Sequence, residues 1–185
     1  MSENQEQWVL KFCLLGDHAV GKTSLLSQYI DRTFEEDYRP TIGVNIIKKT
    51  IHLEKIKTDV NLIFWDIAWQ EKYQKYRKFY FEGCVGALLV YDVTRKPTFE
   101  RVRTKWLVDF KNHVGKRKTS YILIGNKVDL VDDRVVQRDD GVNFAKEIEA
   151  ADYIETSARF GENVERAFVR LVQEILAFHG VQFKL

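Results

Sequence analysis

The chain of 185 residues is short of proline and cysteine, with two of each, and no charge of one sign dominates it. Its 29 basic and 27 acidic residues leave a formal net charge of +2. A balance this close gives nucleic acid nothing to hold through bulk electrostatics, so no nucleic-acid partner is expected. The densest basic cluster, Lys116–Arg117–Lys118, reads as a solvated loop. Cys13 and Cys84 both lie in apolar runs, which predicts two buried free thiols. With no CxxC and no Cys/His pair at ligand spacing, a structural zinc site is not expected. No apolar stretch reaches the length that spans a bilayer. The opening "MSENQEQ" lacks the apolar core of a secretory signal, and the closing "FHGVQFKL" carries no cysteine for a prenyl group. The expectation is a cytoplasmic protein with no lipid anchor readable in this sequence: it works in solution, is peripheral at membranes through partners, or has its anchor elsewhere.

What is present is an ordinary globular mixture, 45% hydrophobic and 30% charged. It suffices for one domain over residues 1–185, with its core at about 9–178. There is no internal repeat and no linker. The two prolines, Pro40 and Pro97, sit where an element begins or a loop bends. "WVLKFCLL" (Trp8–Leu15) reads as a buried strand, followed by a helix over Gly21–Asp31. Val44–Leu53 and Val60–Asp66, joined by "EKIKTD", predict an antiparallel hairpin. A charged, aromatic helix is expected over Gln70–Phe81, and a central strand over Cys84–Val93.

Thr98 reads as the N-cap of the next helix, whose apolar face carries Phe99, Val102, Trp106, Leu107 and Phe110. A strand at Ser120–Gly125, a helix at Arg138–Glu149, a short strand at Asp152–Thr156 and a helix at Asn163–Phe178 complete the pattern. The last helix has a stripe of Val164, Ala167, Phe168, Leu171, Val172, Ile175 and Leu176. Strands alternating with helices predict an α/β fold with a mostly parallel sheet. Ligands in such folds bind at the carboxyl ends of the strands, where every motif below falls.

"GDHAVGKT" (Gly16–Thr23) matches G-x-x-x-x-G-K-[ST] between a strand and a helix, the context of a phosphate loop. Gly16 and Gly21 let the backbone wrap, so that N–H groups from Asp17, His18, Ala19, Val20 and their neighbours through Ser24 point at phosphate oxygens. The helix N-terminus adds positive potential. Lys22 reaches the outer phosphates as a point charge, and the Thr23 hydroxyl suits Mg²⁺.

"NKVD" (Asn126–Asp129) follows the strand "YILIG". The Asp129 carboxylate can accept from both N1–H and the N2 amine of guanine, a donor pair that adenine lacks. Asn126 would read the other edge of the base, and the Lys127 stem would cover the ring. In "ETSAR" (Glu155–Arg159), Ser157, Ala158 and Arg159 form the next loop, and a backbone N–H near Ala158 is placed to meet guanine O6.

"GDHAVGKTSLL", "YRPTIGV", "FWDIAWQE", "LLVYDVT", "GNKVDL" and "ETSA" occur in this order from about Val9 to Phe178. In this the chain resembles the Ras-superfamily small GTPases, with "IGV" and "VYDVT" most similar to the Rab branch. The resemblance implies a P-loop G domain: a six-stranded mixed sheet with one antiparallel hairpin strand, flanked by five helices. It implies a monomeric switch, on with GTP and off with GDP, that hydrolyses GTP with Mg²⁺. Thr41 and Asp66 would join Thr23 at the metal. Phe34 would pack on guanine, Tyr38 would close over the phosphates, and Gln70 would orient the attacking water while Lys22 holds the phosphates. Exchange factors, GTPase-activating proteins and effectors would read the switch segments, Thr41–Asn45 and Gln70–Phe81.

The departures matter. Where the family has Thr-Ala-Gly before the glutamine, this chain has Ile67, Ala68 and Trp69. Trp69 keeps the backbone N–H that would meet the γ-phosphate. If that position needs a glycine-only φ, the strain is about 1–3 kcal/mol. The indole can also displace Gln70, and a misplacement of about 1 Å costs roughly 10²-fold in rate. Alternatively, the indole turns outward as a partner anchor. His18 occupies a position that is usually small in the family, where it either crowds the site or faces solvent. Arg159 replaces a lysine and is expected to matter least. The favoured reading is a GTPase with a weak intrinsic rate. The alternative is a nucleotide-loaded pseudo-GTPase that serves as an interaction module. A P-loop kinase or ATPase is opposed by "NKVD".

Overall fold

The first apolar run, Trp8–Leu15, forms strand β1, and its alternating side chains define two core layers. Phe12 and Leu14 enter one layer with Leu25, Phe168 and Leu171; Cys13 and Leu15 enter the other with Trp106, Phe110 and Phe144. This is the period of two that a strand imposes, buried on both sides because helices cover both faces. The computed structural model describes residues 8–34, 41, 43–53, 57–67, 77–115 and 117–181.

The remaining strands are β2 (Val44–Leu53), β3 (Thr58–Ile67), β4 (Cys84–Asp92), β5 (Ser120–Asn126) and β6 (Asp152–Thr156). The sheet order is β2-β3-β1-β4-β5-β6, with only the β2–β3 pair antiparallel. Helices α1 (Lys22–Asp31) and α5 (Val164–Phe178) cover one face. On the other face lie Phe81 of α2 (Arg77–Phe81), α3 (residues 96–113) and α4 (Arg138–Glu147). The fold is the six-stranded, five-helix α/β architecture expected. All seven residues of the α5 stripe are buried.

Three local expectations are corrected. Cys13 and Cys84 are not free thiols but are joined as a disulfide across 71 residues. β1 and β4 are neighbours in the sheet, which brings the two Cα atoms to 6.7 Å and both side chains into one layer. Thr98 is not an N-cap. The helix starts at Lys96, with Pro97 in its first turn, where a missing N–H costs nothing. Thr98 is buried inside the helix, and its hydroxyl accepts from Asp92 N–H at 3.0 Å and donates to Arg95 carbonyl at 2.7 Å. Finally, α3 is not uniform. Val102–Trp106 forms a π turn, closed by Leu107 N–H on Val102 carbonyl, before the α-helix resumes at Leu107–His113. Most of the helix expected over Gln70–Phe81 lies outside the described residues; its final segment is α2.

Candidate nucleotide site

Because β1, β3, β4, β5 and β6 run parallel, their carboxyl ends share one edge of the sheet, and antiparallel β2 begins there. Register carries the motifs together: Leu14 pairs with Asp66, Asp92 with Asn126, and Asn126 with Thr156. The loop from Gly16 to Gly21 leaves β1 and enters α1. A Cβ on Gly16 would run into the Val90 carbonyl of β4, and one on Gly21 into the Asn126 amide. Gly21 also has φ +96°, so only glycine suits it. Val20 is fully buried and pins the loop to the core.

Lys22 opens α1 with its ammonium turned back into the loop, donating to Gly16 and Asp17 carbonyls at 2.8 Å each. Burial pushes its pKa down to about 8; the Asp66 and Asp17 carboxylates pull upward, and the Arg95 charge adds to the fall. Protonated in both states below about pH 8, this group weakens the fold there. Between about 8 and the ordinary 10.5 the unfolded chain binds the extra proton, so stability rises with pH across that window. The urea midpoint of nucleotide-free protein, minus that of Lys22→Met, is therefore expected to increase from about pH 7.5 to about pH 9. A flat difference would contradict the burial of this charge.

Next to Lys22 stands a compact oxygen cluster. The Thr23 hydroxyl donates to Asp66 Oδ2 and lies 2.9 Å from the Thr41 hydroxyl. Asp66 is the penultimate residue of β3 and has no exposed surface. Burial raises its pKa, while the Lys22 charge and hydrogen bonds from Thr23 and Thr41 oppose the rise. Asp66 Oδ1 is buried without a hydrogen-bond partner among the described residues, a state it shares with Trp65 Nε1 alone. Two hydroxyls and a carboxylate with an unspent oxygen are the donor set of a hard divalent cation, so the residues fit Mg²⁺.

The base motif closes the other end. Asn126 is buried: its amide donates to Val20 carbonyl at 2.9 Å, and its oxygen accepts from Thr156 hydroxyl at 3.0 Å and Ala158 N–H at 3.2 Å. Asn126 thus ties the phosphate loop to the β5 and β6 loops, and the N–H proposed for guanine O6 is engaged by it. Lys127, with φ 72° in the left-handed region, sends its ammonium to Asp92 at 2.7 Å. Asp129 is half-buried and accepts from the buried Ser157 hydroxyl at 2.6 Å.

His18 and Arg159 are exposed, Ala19 and Ser24 half-buried, and Phe34 is at the surface beyond α1. Tyr38, Trp69 and Gln70 lie outside the described residues. The Asp17 carboxylate, for which the motif implied no role, accepts from Trp106 Nε1 and from Arg101, both at 2.8 Å.

Sequence reasoning gave no part in the site to Asp92, Arg95 or Arg101, and placed Trp106 only on an apolar helix face. Asp92 was within reach, since it sits at the carboxyl end of the central strand. It is almost fully buried, which would raise its pKa, but hydrogen bonds from Lys127 and Thr94 and the Lys127 charge outweigh burial and hold it below the ordinary value.

A glycine-pinned phosphate loop, a hydroxyl–carboxylate cluster and an NKxD loop on one sheet edge define a P-loop GTPase fold. The profile of the Ras family matches residues 11–177. Rab11A of Lotus japonicus is 41% identical over 168 residues, 91% of this chain and 72% of that protein. RABA4a of Arabidopsis thaliana is 40% identical over the same shares, and Rab-1 of Theileria annulata 37% identical over 91% of this chain and 74% of its own. The chain belongs to the Ras family of small GTPases, in its Rab branch. Among the described residues, no helix is long and apolar enough to cross a membrane.

Proposed function

We propose that this protein is a guanine-nucleotide switch that holds Mg²⁺ with GTP or GDP and hydrolyses GTP slowly. The observation that carries the reading is the meeting of Lys22, Thr23, Thr41 and Asp66 beside a loop braced by Asn126. Lys22 would neutralise charge on the outer phosphates. Thr23, Thr41 and Asp66 would hold Mg²⁺, which when bound offsets charge on the phosphate oxygens. Gln70 would orient the attacking water. Asp129 would accept two hydrogen bonds from guanine, its carboxylate steadied by Ser157. Phe34, Tyr38, Lys127, Ala158 and Arg159 complete the assignment, in one G domain acting as a monomer.

The second reading, a nucleotide-loaded pseudo-GTPase, is favoured by Trp69 and His18 in the sequence. Either form would meet exchange factors, GTPase-activating proteins and effectors through Thr41–Asn45 and Gln70–Phe81. Kinship with the Rab branch supports a role in membrane traffic or signalling.

Competition between GDP and ADP for the purified protein tests the base assignment. Wild type is expected to prefer GDP strongly. Asp129→Ala is expected to shrink that preference by about a hundredfold or more, since hydrogen bonds to a charged acceptor are worth roughly 1.5–3 kcal/mol each. An unchanged preference would remove Asp129 from the base site.

A further inference from the structure

Arg95 lies just past β4 and immediately before α3. Its Nη2 donates to the His18 carbonyl of the phosphate loop at 2.8 Å, and its Nε to Asp92 Oδ2 at 3.0 Å. That same Asp92 oxygen takes the Lys127 ammonium at 2.7 Å. The other Asp92 oxygen is occupied by the Thr94 N–H at 2.9 Å and the Thr94 hydroxyl at 2.7 Å. Asp92 is 1% exposed and held on both sides, so it is a fixed post. Arg95 is the strap from that post to the phosphate loop. His18 belongs to the phosphate end of the site and Lys127 to the base end. One side chain therefore closes a chain of contacts from one end to the other.

We propose that Arg95 is a positioning residue for nucleotide retention, bridging the phosphate and base loops through the His18 carbonyl and Asp92. The inference rests on the guanine-nucleotide reading of the site. A bound nucleotide spans both loops, so its escape requires them to loosen relative to each other. A guanidinium suits the task because its donors form a rigid fork that can serve two acceptors at fixed angles, whereas an ammonium is a single point. The phosphate loop has further, separate anchors in the Asn126 amide on Val20 carbonyl and in Asp17, held by Trp106 and Arg101. Loss of Arg95 therefore loosens the loop without detaching it.

The test is the dissociation rate of a fluorescent GDP analogue, chased with excess GDP. Arg95→Ala is expected to release it about five- to tenfold faster, the scale of one charge-assisted contact discounted for partial exposure. The association rate and the melting temperature of the nucleotide-free protein are expected to stay as in wild type. Arg95→Lys, which keeps the charge but cannot bridge, is expected to release as fast as the alanine variant, and it decides the matter if that variant does not fold. Lys96→Ala, which removes a neighbouring exposed cation, is expected to behave as wild type. Wild-type retention in Arg95→Lys, or equal acceleration in Lys96→Ala, would overturn the bridge. Failure of the wild type to retain guanine nucleotide at all would instead overturn the reading of the site.

Discussion

Lys22→Met is expected to weaken GDP and GTP binding by at least about a hundredfold while leaving the nucleotide-free fold intact. The two halves of this expectation come from one fact, the burial of a charge. The Lys22 ammonium is withdrawn from water and held by the Gly16 and Asp17 carbonyls. Those two bonds to neutral acceptors do not recover its hydration, which is why its pKa falls to about 8. Phosphate oxygens would supply the missing negative charge, and hydrogen bonds between ionised partners are worth roughly 1.5–3 kcal/mol each. Two such bonds lost give the hundredfold. Methionine fills a similar volume with no charge to desolvate, so the empty protein loses two hydrogen bonds but also a burial cost. Calorimetric titration with GDP, beside thermal melting without nucleotide, checks both halves. A variant that binds normally would show that Lys22 does not meet the phosphates.

Trp69→Gly is expected to speed single-turnover hydrolysis of Mg²⁺–GTP by about ten- to a hundredfold. Glycine would release a backbone strain of about 1–3 kcal/mol if the position needs positive φ. It would also remove an indole adjacent in sequence to Gln70, the residue proposed to orient the attacking water, where a small misplacement costs rate. GTP-loaded wild type and variant, quenched at intervals and analysed for GDP, give the rates directly. A large gain would mean that the native chain holds its nucleotide far longer than it turns it over. Equal rates would mean that Trp69 is tolerated and the protein is a working switch with its indole turned outward.

The fold was legible because its signals are local. β1, β2 and β6 fall on the residues that hydrophobic pattern alone assigns, and the α5 stripe needs nothing beyond a period of 3.6. The π turn in α3 was not legible. Val102, Trp106, Leu107 and Phe110 satisfy an ordinary helical stripe, and only the backbone bond from Leu107 N–H to Val102 carbonyl shows where an i to i+5 bond replaces an i to i+4 one. The Thr98 cap failed for a related reason. A threonine before an apolar run is a fair local signal, but here its hydroxyl serves the Asp92 backbone and the helix already starts at Lys96.

By itself the sequence determined that a phosphate loop and an NKxD loop are present, each placed after a strand. These are contiguous motifs whose residue types carry their own chemistry. Tertiary structure alone decided what lies between them. Asn126 spends its side chain on Val20, Thr156 and Ala158; the Asp17 carboxylate is held by Trp106; Arg95 reaches 77 residues back to His18. The Cys13–Cys84 bond belongs with these. Each pairing joins residues that only the strand order brings together, and a linear pattern carries no record of which strands become neighbours.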